Sequence, residues 1–488
     1  MARSQLRGET TGSRRRFLAL IVGGLGAVSL AACGATPAST TSTAAASTSS
    51  ATATFTASSA ASIATAATTK VALATTANTT TVKAAPAGTG QAVKITFSNP
   101  SNATFLAVDN WCIDEFNKTN PGIQAAYLNP PAGNDWTTWL QTQIAADLAP
   151  DVYYTNTSLF LDFVSKQNYR PLDAYIAKDS QFKISDLWPA MVNVFQWQGK
   201  QYALPKDNGS SMIYYNVDAF QSAGVPLPTK DWTWDTFLSA AQRLTKQSDP
   251  ASSQFGFLLN PAINYWLPWV LQAGGTLFSS DLKQFLPNTA AAVEGMQYYA
   301  DLVNKWHVAP TAAEQKVFPP GKQPFDVSKV AMYFGWPGDI ARLQALTLHW
   351  DAQTPPIKVQ HGTYVDGAGF FVGGKSKAPD AAWLMVRWWA GPVLQTYRTQ
   401  HGIGVPSNKA VAQTFLDLGK TAPPANRQAF FDNLAQGISP QFPLGWAKLS
   451  SGLTPILNSL WAGQTGAQEA VSRMQALLNP QLQAQQAT

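Results

Sequence analysis

The sequence predicts an α/β fold. Short apolar runs alternate with longer stretches whose apolar residues recur every three or four positions, and the changeovers are marked by Pro, Gly or Asn. Strands that alternate with helices need crossover connections, so a largely parallel sheet is expected. At 488 residues the chain has room for two or three domains.

The elements begin with an address. Residues 1–16 carry five arginines against one glutamate, and Phe17 to Ala32 is apolar with three glycines. That stretch is shorter than the roughly 20 residues of a permanent membrane-spanning helix. A basic head, a short apolar middle and a small-residue end describe a secretory signal over 1–32. Ser13-Arg14-Arg15-Arg16-Phe17-Leu18 resembles a twin-arginine export signal, and Leu30-Ala31-Ala32-Cys33 resembles a bacterial lipobox. That resemblance implies cleavage before Cys33 and acylation of its thiol; an uncleaved anchor helix is the alternative. Residues 33–90 are nearly all Ala, Ser, Thr and Gly. Such a composition buries too little apolar surface to offset ordering, so a disordered tether is expected, with a reach of roughly 40 Å.

The folded body starts near Gln91. Val93 to Phe97 reads as a strand. Phe105, Val108, Cys112 and Phe116 share a helix face, stopped by Asn120-Pro121-Gly122. Ile123 to Leu128 is a second strand, Trp136 to Leu148 a helix, and Ala149 to Tyr154 a third strand. Ser158 is a candidate cap for the next helix. Trp197 to Pro205 reads as a hairpin turn and Met212 to Asn216 as a strand. Thr233 caps a helix whose inner face is Trp234, Phe237, Leu238, Ala241 and Leu244. Val330 to Phe334 and Gly369 to Val372 are strands, Ala378 to Trp389 is a helix, and the chain from Ala410 is mainly helical.

Composition excludes several functions. The basic residues are scattered apart from Arg14 to Arg16, so no nucleic-acid patch is expected despite a net charge of +6. Four His and two Cys without ligand spacing argue against a metal site, and no cofactor motif is present. A Cys33–Cys112 disulfide is open on count alone, against acylation of Cys33. The charged fraction is only 13%, whereas Trp occurs 17 times. Such a surface suits a ligand bound through amides, hydroxyls and rings.

Several segments stand in an order that carries more than any one alone. They are Asn120-Pro121-Gly122-Ile123, Ala149-Pro150-Asp151-Val152, and Tyr202 to Asp207 followed by Tyr214-Tyr215-Asn216-Val217-Asp218 and Thr233-Trp234-Asp235. Ala331-Met332 to Trp336, Gly369 to Phe371 and Ser376 to Trp383 follow. Together they resemble the extracellular solute-binding proteins, family 1, of bacterial ABC importers, the relatives of maltodextrin-binding protein, over residues 91 to 480. The resemblance implies a type II periplasmic-binding-protein-like clamp: two α/β lobes, a hinge and an interlobe cleft. By chain order, lobe 1 is 91–206 plus about 362–405, and lobe 2 is 207–361 plus about 406–488. The crossings fall at Asp207-Asn208-Gly209, near Gln360 to Gly367, and near Gly404 to Asn408. The implied partners are a small-molecule solute, the transmembrane subunits of an ABC permease, and the outer face of the membrane through lipid on Cys33. A monomer is expected, without nucleic acid, metal or cofactor.

Trp336 is the leading ligand candidate. It follows a strand, between Gly335 and Pro337, where a core indole would be awkward, and it matches the family's sugar-stacking Trp. Asp207 matches an acid at the first crossing. Asn134, Asp135 and Trp136 follow the second strand, with Asp135 alternatively a helix cap. Thr155, Asn156 and Ser158 follow the third. Trp266 and Trp269 are further candidates, one of them expected in the core, with Tyr364 near the second crossing and Trp446 in the C-terminal segment. Trp234, Trp383, Trp388 and Trp389 are expected in the core. The main expectation is a sugar or oligosaccharide receptor. The alternatives are a receptor for a glycerol phosphate-type, polyamine or peptide solute, a carbohydrate-active enzyme, and a structural surface protein. The enzyme needs two carboxylates about 5–9 Å apart, and Asp135, Asp207, Asp339 and Asp366 are the acids available to it.

Overall fold

The computed structural model describes residues 91–100, 103–131, 135–207, 209–247 and 253–485. The signal, Cys33, the tether, Asn134 and Asn208 lie outside the described residues. Along the chain the strands are β1 (Val93–Ser98), β2 (Ile123–Tyr127), β3 (Val152–Asn156), β4 (Gln196–Trp197), β5 (Lys200–Gln201) and β6 (Ala203–Pro205). Then come β7 (Met212–Asn216), β8 (Met332–Gly335), β9 (Trp350–Gln353), β10 (Thr363–Tyr364), β11 (Ala368–Val372) and β12 (Gly437–Ile438).

Two sheets organise the body. One has the order β2-β1-β3-β11-β6 and the other β8-β7-β9, while β10 pairs with β12. β1 is parallel to β2 and β3. β11 is antiparallel to β3 and β6, and both neighbours of β7 are antiparallel to it. The expectation of a largely parallel sheet therefore holds for β2-β1-β3, with β10-β12 as a short parallel pair apart from it. The reason is the route of the chain. β6 leaves the first sheet at one end, and β11 re-enters from the other lobe beside it at that same end, so it must run the opposite way. The expected hairpin is β4-β5; Ala203–Pro205 does not end it but joins the main sheet.

Each sheet has its own core. In the first lobe, Val108, Cys112 and Phe116 from the helix Ala103–Thr119 cover one face, with Phe97 stacked on Trp389 at 4.8 Å. Cys112 is fully enclosed, and burial pushes its thiol up to about 12. On the other face Tyr169 stacks on Phe371 at 3.9 Å. In the second lobe, the helices Trp234–Leu244, Ile263–Gln272, Thr289–Asn304 and Ala467–Gln485 contribute to one large cluster. Thr233 does cap the first of these, in a reciprocal arrangement with Thr236; Leu238 is only half-buried and Ala240 takes a place on the inner face. Each enclosed large apolar side chain contributes about 1.5–3 kcal/mol before the ordering cost.

The chain passes between the sheets three times. The first crossing joins β6 to β7, the second joins β9 to β11, and the third follows the helix Pro392–Gln400. The first two run side by side: Ser210 bridges Val365, and the Asp366 N–H donates to the Gly209 carbonyl at 3.1 Å. A Cβ on Gly209 would sit 1.8 Å from the Asp366 carbonyl oxygen. Glycine is needed there because the two straps touch backbone to backbone. The third crossing is tied on by Ser407, whose hydroxyl donates to the Pro205 carbonyl at 3.0 Å, and by Gln395, whose amide donates to the Lys206 carbonyl at 2.7 Å.

Candidate functional site

β8 pairs with β7 so that Gly335 lies opposite Met212, the first residue of β7 after the crossing. Trp336 therefore emerges beside the hinge. Its N–H donates to Asp339 at 2.9 Å, and the Tyr214 hydroxyl donates to its carbonyl at 2.7 Å. The half-buried indole stands edge-on to Tyr364 and Tyr265, with centroids at 6.1 and 6.4 Å. Gly335 is required by the same construction, because a Cβ there would meet Asp339 and the Tyr214 ring at 2.7 Å.

Trp336 lines a space of about 210 Å³ that also takes Asp207, Lys206, Arg398, Tyr154 and Asp366. A second space of about 290 Å³ is lined by Asp366, Tyr364, Asn156, Ser158, Asn264 and Trp446. Asp366 belongs to both, and the Trp336 ring of the first stands 6.1 Å from the Tyr364 ring of the second, so they form one cleft reached by both lobes and by the crossings. Ligands are expected at such a place, where strand ends of facing sheets meet.

The floor is charged and mostly satisfied. Arg398 is almost fully enclosed, 3.3 Å from Asp109 and 3.4 Å from Asp207. Its guanidinium also lies over the Trp389 ring at 5.5 Å. Lys206 is 3.5 Å from Asn99 Oδ1 and 5.2 Å from the centre of the Tyr154 ring. Burial holds its ammonium below the usual lysine range, opposed by the nearby Asp207 carboxylate. Burial pushes the Asp366 carboxyl up to about 6; hydrogen bonds from Thr157 and Tyr364 pull the other way, and Asp207 adds to the rise. The Thr157 hydroxyl donates to Asp366 at 2.8 Å.

The remaining candidates separate cleanly. Asp207, Asn156, Tyr364, Trp446 and Trp336 line the cleft. Trp136 does not; its Nε1 donates to Ser98 Oγ at 3.2 Å, and its ring supports Tyr154 at 5.5 Å. Asp135 is exposed and caps the helix Trp136–Ala145, accepting from the Thr138 N–H at 2.8 Å, which holds its carboxyl below the usual range. Trp266 and Trp269 both have zero exposure and pack into the second lobe; their helix shows the cleft Ile263 and Asn264 instead. The expectation of a core position thus applies to both indoles. Ser158 lies in the first turn of its helix rather than at its cap, and its hydroxyl donates to Asn156 Oδ1 at 2.8 Å. Thr155 is buried against the Tyr169 hydroxyl. Asp339, an acid the enzyme reading could use, is held by the Trp336 N–H and by Arg342 at 3.0 Å. Lys206, Arg398, Tyr154 and Asn264 were not anticipated. Lys206 could have been, since it adjoins Asp207 in the first crossing.

Two lobes, joined by adjacent straps around a cleft with an indole at its wall, define a clamp-type receptor for a small solute. The profile of the bacterial extracellular solute-binding protein family matches residues 99–396, and the chain belongs to that family, one of receptors rather than enzymes. An ABC substrate-binding protein of Listeria monocytogenes, solved with cycloalternan, superposes with a TM-score of 0.73 at 27% identity, over 80% of this chain and 99% of that one. The GacH receptor of Streptomyces glaucescens, solved unliganded and with acarbose, gives 0.67 at 21% identity, over 81% and 99% of the two chains. An arabinooligosaccharide-binding protein of Bacillus subtilis is 24% identical over 196 residues, which are 39% of this chain and 43% of that protein. A binding protein of Brucella abortus is 31% identical over 122 residues, 24% of this chain and 28% of that protein. The matches thus span less than half the length of either of these two relatives.

Proposed function

We propose that this protein is the lipid-anchored, extracytoplasmic receptor of an ABC importer, and that it captures a sugar or oligosaccharide between two closing lobes and delivers it to a membrane permease. The observation that carries this reading is Trp336, a half-buried indole fixed at its backbone on both sides and facing a cleft rich in hydrogen-bonding groups. An indole covers the flat C–H face of a pyranose, while Asp207, Asp366, Asn156 and Lys206 suit its hydroxyls. Similar solved receptors carry cycloalternan or acarbose. Lobe 1 takes residues 91–206 and about 362–405; lobe 2 takes 207–361 and about 406–488. The straps bend as the lobes rotate as rigid bodies. Acylation of Cys33 and the 33–90 tether keep a monomeric body beside its permease.

Tryptophan fluorescence titrated with neutral mono- and oligosaccharides tests the reading. A saturable change without product formation is expected, and Trp336→Ala weakens affinity by roughly 30-fold or more, the effect of truncating a central aromatic anchor. Saturation only by glycerol phosphate, a polyamine or a peptide overturns the sugar assignment, and hydrolysis of the sugar overturns the receptor.

A further inference from the structure

We propose a second small-molecule site behind the crossing straps, one that takes a neutral, mainly apolar ring compound and whose occupancy is coupled to the front cleft. The alternation of an extended chain divides the two sites along the strap, and Phe442 is the one described residue that lines both. Tyr364 and Asp366 line the front cleft, whereas Val365, between them, lines a different cavity of about 300 Å³. The same division appears at the start of the helix Thr157–Val164: Asn156 and Ser158 line the front, and Thr157 lines the rear. A strand presents successive side chains to opposite faces, so one thin strap forms a wall of both spaces.

The rear cavity is built from both lobes. Phe160 and Trp197 come from the first, Leu282 and Phe442 from the second, and Val365 with Gly437 closes the back. The back is tight: the Val365 N–H donates to the Ile438 carbonyl at 3.0 Å, and a Cβ on Gly437 would fall 2.1 Å from Val365 Cγ2. Leu282, half-buried in a loop of the second lobe, lines the cavity opposite Phe160 and Trp197 of the first.

The lining states the ligand class. It includes no ionisable side chain, in contrast to Tyr154, Lys206, Asp207, Asp366 and Arg398, which line the half of the cleft around Trp336. A charged guest would lose its hydration without a counter-charge. Three aromatic residues suit a ring, exposed amides such as Gln441 suit one polar group at the mouth, and the volume lies at the small end of ligand pockets. Because both spaces are bounded by both lobes and share the strap, a change in lobe separation alters both. A guest touching both rear walls therefore has a different affinity at each lobe separation, and the coupling to a front ligand is reciprocal. The existence of the site rests on the cavity alone, and only the coupling rests on the proposed capture function.

The test uses the mature exported protein and N-phenyl-1-naphthylamine, a neutral ring probe that brightens in apolar surroundings. Saturable one-site binding is expected, retained in Trp336→Ala and reduced at least tenfold in Ala190→Trp, which places an indole on the cavity wall. Gln441→Trp, at the exposed mouth, gives the same loss by blocking entry if Ala190→Trp does not fold. Binding that never saturates, that survives both fillings, or that is lost in Trp336→Ala overturns the site. A front-cleft sugar is expected to change the probe's Kd at least about threefold, and the probe to change the sugar's Kd by the same factor. Unchanged constants overturn the coupling. A sugar titration of the same sample without probe tells failure of the capture reading apart from failure of the rear site.

Discussion

The two faces of the strap at 364–366 differ by more than position. In front, Tyr364 and Asp366 look into a space with Asp207, Lys206 and Arg398 on its floor; behind, Val365 looks into a space without an ionisable group. The register of three consecutive residues is what separates these chemistries. Charged groups gather in front, where the most enclosed of them are paired, and the space behind is lined without a charge. A one-residue slip of this segment would exchange the two environments and leave a carboxylate in the apolar cavity.

The largest effect is expected from breaking the front network at its most enclosed member. Arg398→Met leaves Asp109, at zero exposure, with Asn99 but without its guanidinium. Loss of one partner of a buried pair costs about 3–5 kcal/mol. Chemical denaturation should show that loss, and Asp109→Asn in the same chain should recover much of it. A change below about 1 kcal/mol would mean that the floor is not a buried ion pair, and the contrast between the two faces would lose its basis.

How far the sequence carried this contrast depends on what each residue type does locally. Motifs that close turns or join neighbouring elements were legible. Asp151 of the Ala149 to Val152 motif receives the Thr96 N–H at 2.9 Å and the Ser376 hydroxyl at 2.6 Å, so two of the quoted segments meet in space. Trp336 was legible because Gly335 and Pro337 mark a strand ending in a turn. Trp266 and Trp269 were not, because an indole at helical spacing looks the same whether it faces a cleft or a core; only the packing of Trp269 on Tyr298 at 5.1 Å decides. The antiparallel β11 was missed because direction depends on where the chain re-enters the sheet, which no local pattern encodes. Asp366 was noticed only as an acid for a hydrolase, since its place in both halves of the cleft depends on a crossing whose register the sequence does not print.

Asp366 offers the next test, of intermediate size. Its carboxyl titrates near 6 in the folded protein, above the ordinary value of about 4. Between those pH values the folded chain holds a proton that the unfolded chain has released. Stability therefore falls as pH rises through that window, and the penalty is complete above it. Asp366→Asn keeps an acceptor for Thr157 but cannot ionise. At pH 7.5 it should be more stable than the parent by about 1–3 kcal/mol, and the gain should shrink towards zero as pH falls to about 4. Its sugar affinity at pH 7.5 should drop, because a charged acceptor leaves the cleft. A stability gain that ignored pH would show that the front face does not hold a strained carboxylate.

The smallest effect is expected at the rim, and it sharpens the comparison by marking where the front face ends. Asp135 follows β2 as a ligand residue would, yet its carboxylate receives the Thr138 N–H and hydroxyl and lines neither half of the cleft. Asp135→Ala removes a helix cap and nothing else. Melting should drop by roughly 2 °C or less, in proportion to one exposed cap in a large body, with sugar affinity unchanged. A tenfold loss of affinity would mean that lobe closure carries this loop onto the ligand. The front face would then extend past Tyr154 to the helix Trp136–Ala145, and Trp136, which supports Tyr154 from behind, would stand next to a contact residue rather than two layers from the guest.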